Sequence, residues 1–166
     1  MKKLSQKFYI EIPLISASYS PGSRKISSVD LQQKFVQFMA DMYRQQLIKI
    51  INKQMYKHKW APLTAEYVEY KRKQGLSLRI WEATSLMKNH IVVLRRKDKW
   101  YIGPNPKVHY KSGVTLLEVA RWMEFGTQKM PARPLFRPTL QYLRSNFAFF
   151  HKKFMEGVGA NGHVSV

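Results

Sequence analysis

The sequence predicts an α+β domain with a long N-terminal helix, a small antiparallel β-sheet with a hairpin, and a C-terminal helix. Three patterns carry this prediction: apolar residues recur every three or four positions after Ser28, two β-rich runs flank a charged turn at 95–99, and a second apolar stripe follows Arg137. With 166 residues, the chain has the length of one domain. We place that domain at 27–157, between an N-terminal arm or edge strand at 1–26 and a flexible tail at 158–166.

The N-terminal third combines a strand with the long helix. Residues 7–19 alternate loosely and are rich in Tyr, Ile and Leu, which predicts a strand, and Pro13 confines it to a sheet edge or breaks it. The helix begins at Ser28 as N-cap and continues to about Met55. About 28 helical residues would extend roughly 42 Å. Because the apolar stripe is larger than one small sheet covers, we expect part of it to pack against another element or a second subunit.

Five further elements follow from turn residues and hydrophobic period. They are a helix at 64–74 that starts at Thr64 and stops before Gly75, one or two helical turns at 83–89, a hairpin of 90–94 with 100–103, a helix at 115–124 closed by Gly126, and a last helix at 137–155. Pro138 suits the first turn of that last helix, where its missing N–H group costs no hydrogen bond.

The chain is strongly and evenly basic. It carries 29 Lys and Arg against 10 Asp and Glu, a formal charge of +19; residues 1–75 hold 14 basic and 5 acidic residues, and residues 76–166 hold 15 and 5. A nucleic-acid-binding arm would concentrate the excess at one end, so the charge belongs to the folded body and indicates polyanionic partners. Sequence-neutral contact with DNA phosphates is expected for the basic clusters that adjoin aromatic residues, namely Lys71, Arg72, Lys73, Arg95, Arg96, Lys97 and Lys99.

Several function classes lack the residues they need. The absence of Cys excludes disulfide scaffolds, Cys-based zinc sites and thiol nucleophiles, and suits a reducing compartment. No stretch approaches the roughly 20 apolar residues of a membrane span, and Lys7 and Glu11 interrupt any apolar core of a secretory signal. The sequence holds no P-loop and no His-Glu-x-x-His, and its carboxylates are scattered. We therefore expect no enzymatic activity, cofactor or metal site, while an active site assembled by tertiary contact, such as that of a small nuclease, stays an open alternative.

The segment 120–138 (ARWMEFGTQKMPARPLFRP) has a pattern of its own. A helix ends in Phe125 and Gly126, a short polar loop follows, and Met-Pro-Ala-Arg-Pro then holds the backbone extended, because each Pro restricts its own φ and its predecessor. One interpretation is a rigid loop between two helices. The other is a protein interface, since an exposed Pro segment with Met, Phe and Arg has the composition of one.

This segment resembles the E-[FYH]-G-T-x-x-M-P-A-R-P-F-L-R-P stretch of the tail-completion and head–tail joining (neck) proteins of tailed bacteriophages. The run 60–64 (WAPLT) is similar to the family's W-x-P-L-[ST] element, and 83–91 (ATSLMKNHI) lies where the family has T-G-x-L-x-x-S-I. Order and spacing match over 31–157. The sequence departs from the family pattern at Ser85, which replaces the usual Gly, and at Leu135-Phe136, which reverses the common Phe-Leu order.

The resemblance implies a non-enzymatic virion protein with an α+β fold, assembled in the host cytoplasm. It would form a ring, a hexamer by analogy with the family, at the neck between the tail and the DNA-filled head. Its partners would be the head-connector, neck and tail proteins, with non-specific contact to packaged DNA. The layer of the neck, the type of phage and the role of 1–26 stay open.

The resemblance also places the subunit or ring interface on the C-terminal segment. The residues implied are Trp122, Phe125, Gly126, Met130, Pro131, Ala132, Arg133, Pro134 and Phe136. Arg133, a planar fork of donors, is expected to bind a carboxylate on the next subunit. The alternative function is that of a free-standing basic protein that binds nucleic acid without regard to sequence.

Overall fold

The computed structural model describes residues 9–10, 28–96 and 99–161, and within these ranges six helices and three strands follow one another. In chain order they are β1 (Tyr9–Ile10), α1 (Ser28–Lys53), α2 (Ala65–Lys73), α3 (Leu86–Asn89), β2 (Ile91–Arg96), β3 (Lys99–Pro104), α4 (Leu116–Phe125), α5 (Phe136–Ser145) and α6 (Phe147–Asn161). The predicted α+β class is confirmed, with its long N-terminal helix, its antiparallel hairpin and its C-terminal helical region.

The sheet is antiparallel with β3 in its centre, in the order β1-β3-β2. The hairpin register pairs Ile91 with Pro104 at one end and Arg96 with Lys99 at the other. The strand predicted within 7–19 is present at Tyr9–Ile10, on the sheet edge, and the rest of that range lies outside the described residues. The sheet thus offers α1 a small apolar surface that includes Ile91 and Ile102, both of which are almost fully buried.

Helix α1 is the element around which the chain packs. It contacts β2, β3, α5 and α6, and its Leu47, Ile50 and Ile51 have no exposed surface. The stripe that exceeds the sheet is covered from within the chain, since Phe35 of α1 meets Phe154 of α6 edge to face at 5.1 Å. The expectation that another element or a subunit covers this stripe is therefore met by α5 and α6.

The C-terminal region differs from the prediction of one helix at 137–155. It forms two helices that are separated at Asn146, the C-cap of α5, whose φ of −108° and ψ of 20° are not helical. The backbone N and the Nδ2 of Asn146 both donate to Tyr142 O, at 3.1 and 2.8 Å. The second helix, α6, continues to Asn161, and Val158 is buried in the core one turn beyond Phe154. Residues 158–161 therefore belong to α6 and not to a flexible tail; residues 162–166 lie outside the described ranges.

Within 9–10, 28–96 and 99–161, no helix is both long and apolar enough to cross a bilayer.

Candidate functional site

The segment 126–135 between α4 and α5, here called the strap, holds most of the residues that the sequence placed at an interface. Helix α4, which precedes the strap, begins with a capping box, in which Thr115 Oγ1 accepts from Glu118 N and Glu118 Oε2 accepts from Thr115 N. It ends at Gly126, which has φ +76°. A Cβ there would lie 2.8 Å from Ala132 N and 2.9 Å from Met130 O, so both the φ angle and the crowding by backbone require glycine.

A buried carboxylate joins the strap to the start of α5. Glu124 is completely buried, and its oxygens accept from the backbone N–H groups of Leu135, Phe136 and Arg137 at 2.7, 2.9 and 2.9 Å. Leu135, the N-cap residue, supplies no side-chain acceptor of its own. Glu124 therefore caps α5 from the preceding helix, and its negative charge lies at the positive end of the helix dipole.

Sequence reasoning missed this role because it sought acid pairs along the chain and found Glu118 and Glu124 on different faces of one helix. The signal that could have found it lies in α5. Its start lacks a Ser, Thr, Asp or Asn cap, so its first N–H groups need an acceptor from elsewhere.

Three aromatic donors from separate parts of the chain hold two carbonyls of the strap and one of α5. Trp81 Nε1 donates to Arg133 O at 2.9 Å, Trp60 Nε1 to Pro134 O at 2.8 Å, and Tyr43 OH to Phe136 O at 2.8 Å. Burial, together with the Glu124 charge, raises the pKa of Tyr43 well above its ordinary value, which keeps that hydroxyl a donor. Trp81 itself has φ +64°, a rare conformation for a bulky side chain. The strap is thus fixed in position by the core.

Arg133 and Phe136 lie inside the chain, which corrects their assignment to a subunit interface. Arg133 is 3% exposed: its Nε and Nη2 donate to Ala61 O and Pro62 O at 2.7 and 2.8 Å, and its backbone N donates to Met123 O. The fork of donors that was expected to bind a neighbour's carboxylate binds two loop carbonyls that lack partners in regular structure. Phe136 is 2% exposed, because its ring packs edge-on against Trp81 at 5.6 Å.

The surface that α4 and the strap expose is aromatic, with the cation of Arg137 at its margin. Trp122 and Phe125, three residues apart on α4, are 43% and 38% exposed. Pro131 and Ala132 of the strap are also exposed, and the backbone of Ala132 closely approaches Gly126, which follows Phe125. The Arg137 guanidinium lies 4.8 Å from the centre of the Phe125 ring. We call Trp122, Phe125, Pro131 and Ala132 the strap patch. Three other predicted interface residues, Gly126, Met130 and Pro134, are half-buried.

The structure divides the residues predicted to face DNA into three groups. Lys71 is only 2% exposed and donates to Arg79 O at 3.0 Å, so its assignment to a DNA-facing surface is wrong; it lies one turn after Tyr67, on the inner side of α2. Arg72 and Lys73 are exposed, with Glu69 at 3.8 and 3.9 Å. Arg95 is exposed near the end of β2, and its guanidinium lies 5.9 Å from the Trp100 ring. Lys97 and the side chains of Arg96 and Lys99 lie outside what the structure describes.

A second surface feature adjoins Arg72 and Lys73. Tyr67 and Tyr70 of α2 are 44% and 52% exposed, and their rings stack with centres 5.9 Å apart and planes 13° apart. Exposed aromatic faces beside exposed cations are what a surface that stacks nucleic-acid bases requires.

A cavity of about 320 Å³ lies between α2, the loop around Trp81 and the strap. Its walls include buried Lys71, Trp81 and Arg133, and its outer side includes exposed Tyr67 and Lys129. Burial and the charge of Arg133 lower the pKa of Lys71, although Glu82 acts in the opposite direction. No pattern in the sequence predicted this cavity, because its walls come from segments up to about seventy positions apart in the chain.

Among the residues that the structure describes, no three His, Asp or Glu side chains are grouped so that they could hold a metal ion. No protein-family model matches the chain, and no similar protein was found among curated sequences or among solved structures. The site is therefore characterised by three features of its own: the anchored strap with its patch, the stacked tyrosines, and the cavity.

Proposed function

We propose that this chain is a structural virion protein of a tailed bacteriophage, which forms a ring at the neck, completes or terminates the tail and joins it to the DNA-filled head. The observation that carries the proposal is the way the three family-like segments meet. Trp60 and Arg133 tie 60–64 to the strap through hydrogen bonds, and Met87 of 83–91 lines the same cavity as Arg133. The residues that resemble the family thus form one structural unit, whose exposed part is the strap patch.

The strap patch has the properties of a protein interface. Its Trp and Phe are held by a helix and by a strap that the core fixes, so little conformational entropy would be lost on docking. Aromatic residues with Arg at the margin are enriched in interface cores, whereas Lys and acids are depleted there. A patch on one side of the chain that docks on a different surface of the next copy generates a ring when the rotation closes.

The charge fits the same role. At +19 per chain, a ring would carry a large positive field and needs acidic neighbouring layers or DNA in transit to compensate it. We accordingly propose head-connector, neck and tail proteins as partners, non-specific contact with packaged DNA, and a place at the junction of neck and tail. This role requires no catalysis and no cofactor.

Two variants with the same change of charge test the role. Purified wild-type protein, Trp122→Asp and Tyr70→Asp are each mixed with isolated tails, and particle mass and electron micrographs are recorded. Wild type and Tyr70→Asp should form discrete rings or dock on tail ends, while Trp122→Asp should remain a folded monomer, because an acid on the patch opposes its burial. A wild-type chain that stays monomeric and never joins tails would overturn the proposal.

The alternative is a basic protein that binds single-stranded nucleic acid without sequence preference, and the stacked Tyr67–Tyr70 pair favours it. The same two variants separate the alternatives. If the alternative holds, Tyr70→Asp should weaken binding to an oligonucleotide about 5–150-fold, the effect of losing one stacked base. Trp122→Asp, with the same loss of charge, should show only the salt-dependent part of that effect.

A further inference from the structure

The cavity beside α2 has the size and shape of a ligand site. Its volume of about 320 Å³ lies at the lower end of the roughly 300–1,000 Å³ range of small-molecule sites. Exposed Tyr67 and Lys129 line its outer part, and buried Lys71, Trp81 and Met87 line its inner part. The space therefore leads from the surface to a buried ammonium group.

The charges that line the cavity do not balance. The acid in its wall is Glu82, and the Glu82 carboxylate is paired with Lys88 at 2.8 Å and with Arg79 at 3.4 Å. Neither Lys71 nor Arg133 forms an ion pair with any described carboxylate. Two cations thus share one buried wall, while Glu82 is hydrogen-bonded to Lys88 through Oε1 and forms an ion pair without a hydrogen bond to Arg79 through Oε2.

Both cations also keep donors that are unused within the described residues. Lys71 Nζ has three N–H groups, and within the described residues Arg79 O is their one hydrogen-bond acceptor. Arg133 uses Nε and Nη2 for two carbonyls, and its Nη1 amino group has no acceptor among the same residues. Besides that one hydrogen-bond acceptor, the Lys71 ammonium has the face of the Tyr67 ring 5.6 Å away. A buried ammonium with a single acceptor is costly, and in apolar surroundings an anion placed against it is bound more strongly than in water.

We propose that this cavity binds a carboxylate carried on an apolar or aromatic body. The carboxylate lies against Lys71 and Arg133, and the body lies against Trp81, Met87 and Met123. A free small acid and the end of a polypeptide chain with an apolar last residue share this chemistry. Because one chain forms the whole cavity, the proposal does not depend on ring assembly and is tested on the unassembled protein.

The first test uses the wild-type chain alone. Calorimetric titration compares phenylacetate with phenylacetamide, which has the same body without the charge, and with acetate, which has the charge without the body. Phenylacetate should bind at least about 10-fold more tightly than either, because a hydrogen bond to a charged group and the burial of a ring each contribute about that factor. Equal binding of phenylacetate and acetate would mean that the +19 surface attracts anions at large, and would overturn the proposal.

The second test locates the site with a matched pair of variants on one helix. Lys71→Met keeps the apolar stem and removes the ammonium, while Lys73→Met makes the same change at an exposed lysine. Lys71→Met should lose the preference for phenylacetate over phenylacetamide, and Lys73→Met should keep it. In nitrogen–proton spectra of the wild type, phenylacetate should shift the Trp81 indole N–H signal. An unshifted Trp81 signal, or a preference that survives in Lys71→Met, would refute the site.

A third measurement identifies the source of the carboxylate. N-acetyl-glycyl-phenylalanine and its C-terminal amide are titrated beside phenylacetate. Tighter binding of the peptide acid assigns the cavity to a chain end, and tighter binding of phenylacetate assigns it to a free acid; both outcomes support the proposal. If none of the acids binds more tightly than its amide, the proposed carboxylate site is refuted, while the proposed ring function is unaffected.

Discussion

Glu124 illustrates how one side chain determines the local structure of its neighbours. It accepts from three consecutive backbone N–H groups and from Arg137 Nε, with no exposed surface. Glu124→Gln keeps the shape but replaces one acceptor oxygen by an NH₂ group that faces other donors. We expect the free energy of unfolding to fall by about 2–4 kcal/mol. Urea denaturation measures it, with Glu156→Gln, the same change at an exposed position, as control. Equal denaturation midpoints for the two variants would contradict the capping role.

Arg133 makes the sharpest difference between the sequence and the structure at this scale. As an interface residue, it should be replaceable without loss of fold. If Arg133 instead links the strap to the carbonyls of Ala61 and Pro62, its replacement should destabilise the fold. We expect Arg133→Met to lower the free energy of unfolding by roughly 3 kcal/mol, since two loop carbonyls lose charged donors. Arg121→Met, at an exposed position of α4, should leave thermal and urea denaturation nearly unchanged. A fully stable Arg133→Met variant would restore the interface assignment.

At the scale of elements, the start of α4 gives stability a dependence on pH. Hydrogen bonds from the Thr115 side chain and backbone lower the pKa of Glu118 below its ordinary value of 4.5. The unfolded chain therefore binds a proton more readily than the folded one, so the stabilisation is complete above pH 4.5 and is lost as pH falls through the lower, folded pKa.

We predict that wild type is more stable than Glu118→Gln near pH 6 and that this difference shrinks steadily below pH 4.5. Thermal denaturation at a series of pH values measures it. Thr115→Ala, which removes the hydroxyl from the same capping box, should lower the free energy of unfolding by about 1 kcal/mol. When Glu118→Gln is added to Thr115→Ala, the resulting change in stability should depend less on pH than it does in the wild-type background. A difference between wild type and Glu118→Gln that is constant from pH 6 to pH 3 would show that the box does not hold the charged form of Glu118.

The elements also show which features a sequence pattern can predict. Helix α1, the hairpin and α4 depend on local period and turn residues, and these were placed to within a few positions. The break at Asn146 was missed because Leu143, Phe147, Phe150 and Phe154 continue one apolar stripe across it. The burial of Lys71 and Arg133 depends on carbonyls that the fold brings from other segments, and no local pattern contains that information.

At the scale of the whole molecule, the excess of positive charge acts on stability. The ion pairs between described residues involve Glu69, Glu82, Glu124 and Glu156, against the many cations of a chain with a formal charge of +19. Repulsion among exposed cations therefore opposes the compact state, and added salt should weaken this repulsion and so stabilise the fold. In the ring that we propose, every copy would carry the same excess, and neighbouring acidic layers or DNA would screen it in place of salt.

The wild-type chain should therefore become more stable as ionic strength rises from about 0.01 M to about 0.15 M, over which the Debye length falls from about 30 Å to about 8 Å. A gain of about 1 kcal/mol would raise the Tm by roughly 2–4 °C for a chain of this size. Lys107→Glu, at an exposed loop position, lowers the formal charge by two units and should raise the Tm at low salt while reducing its salt dependence. The Tm of Lys107→Gln at low salt should lie between those of the wild type and Lys107→Glu. A Tm that does not change with salt would mean that the cations are already neutralised within the fold, and the need for acidic or DNA partners would lose its physical basis.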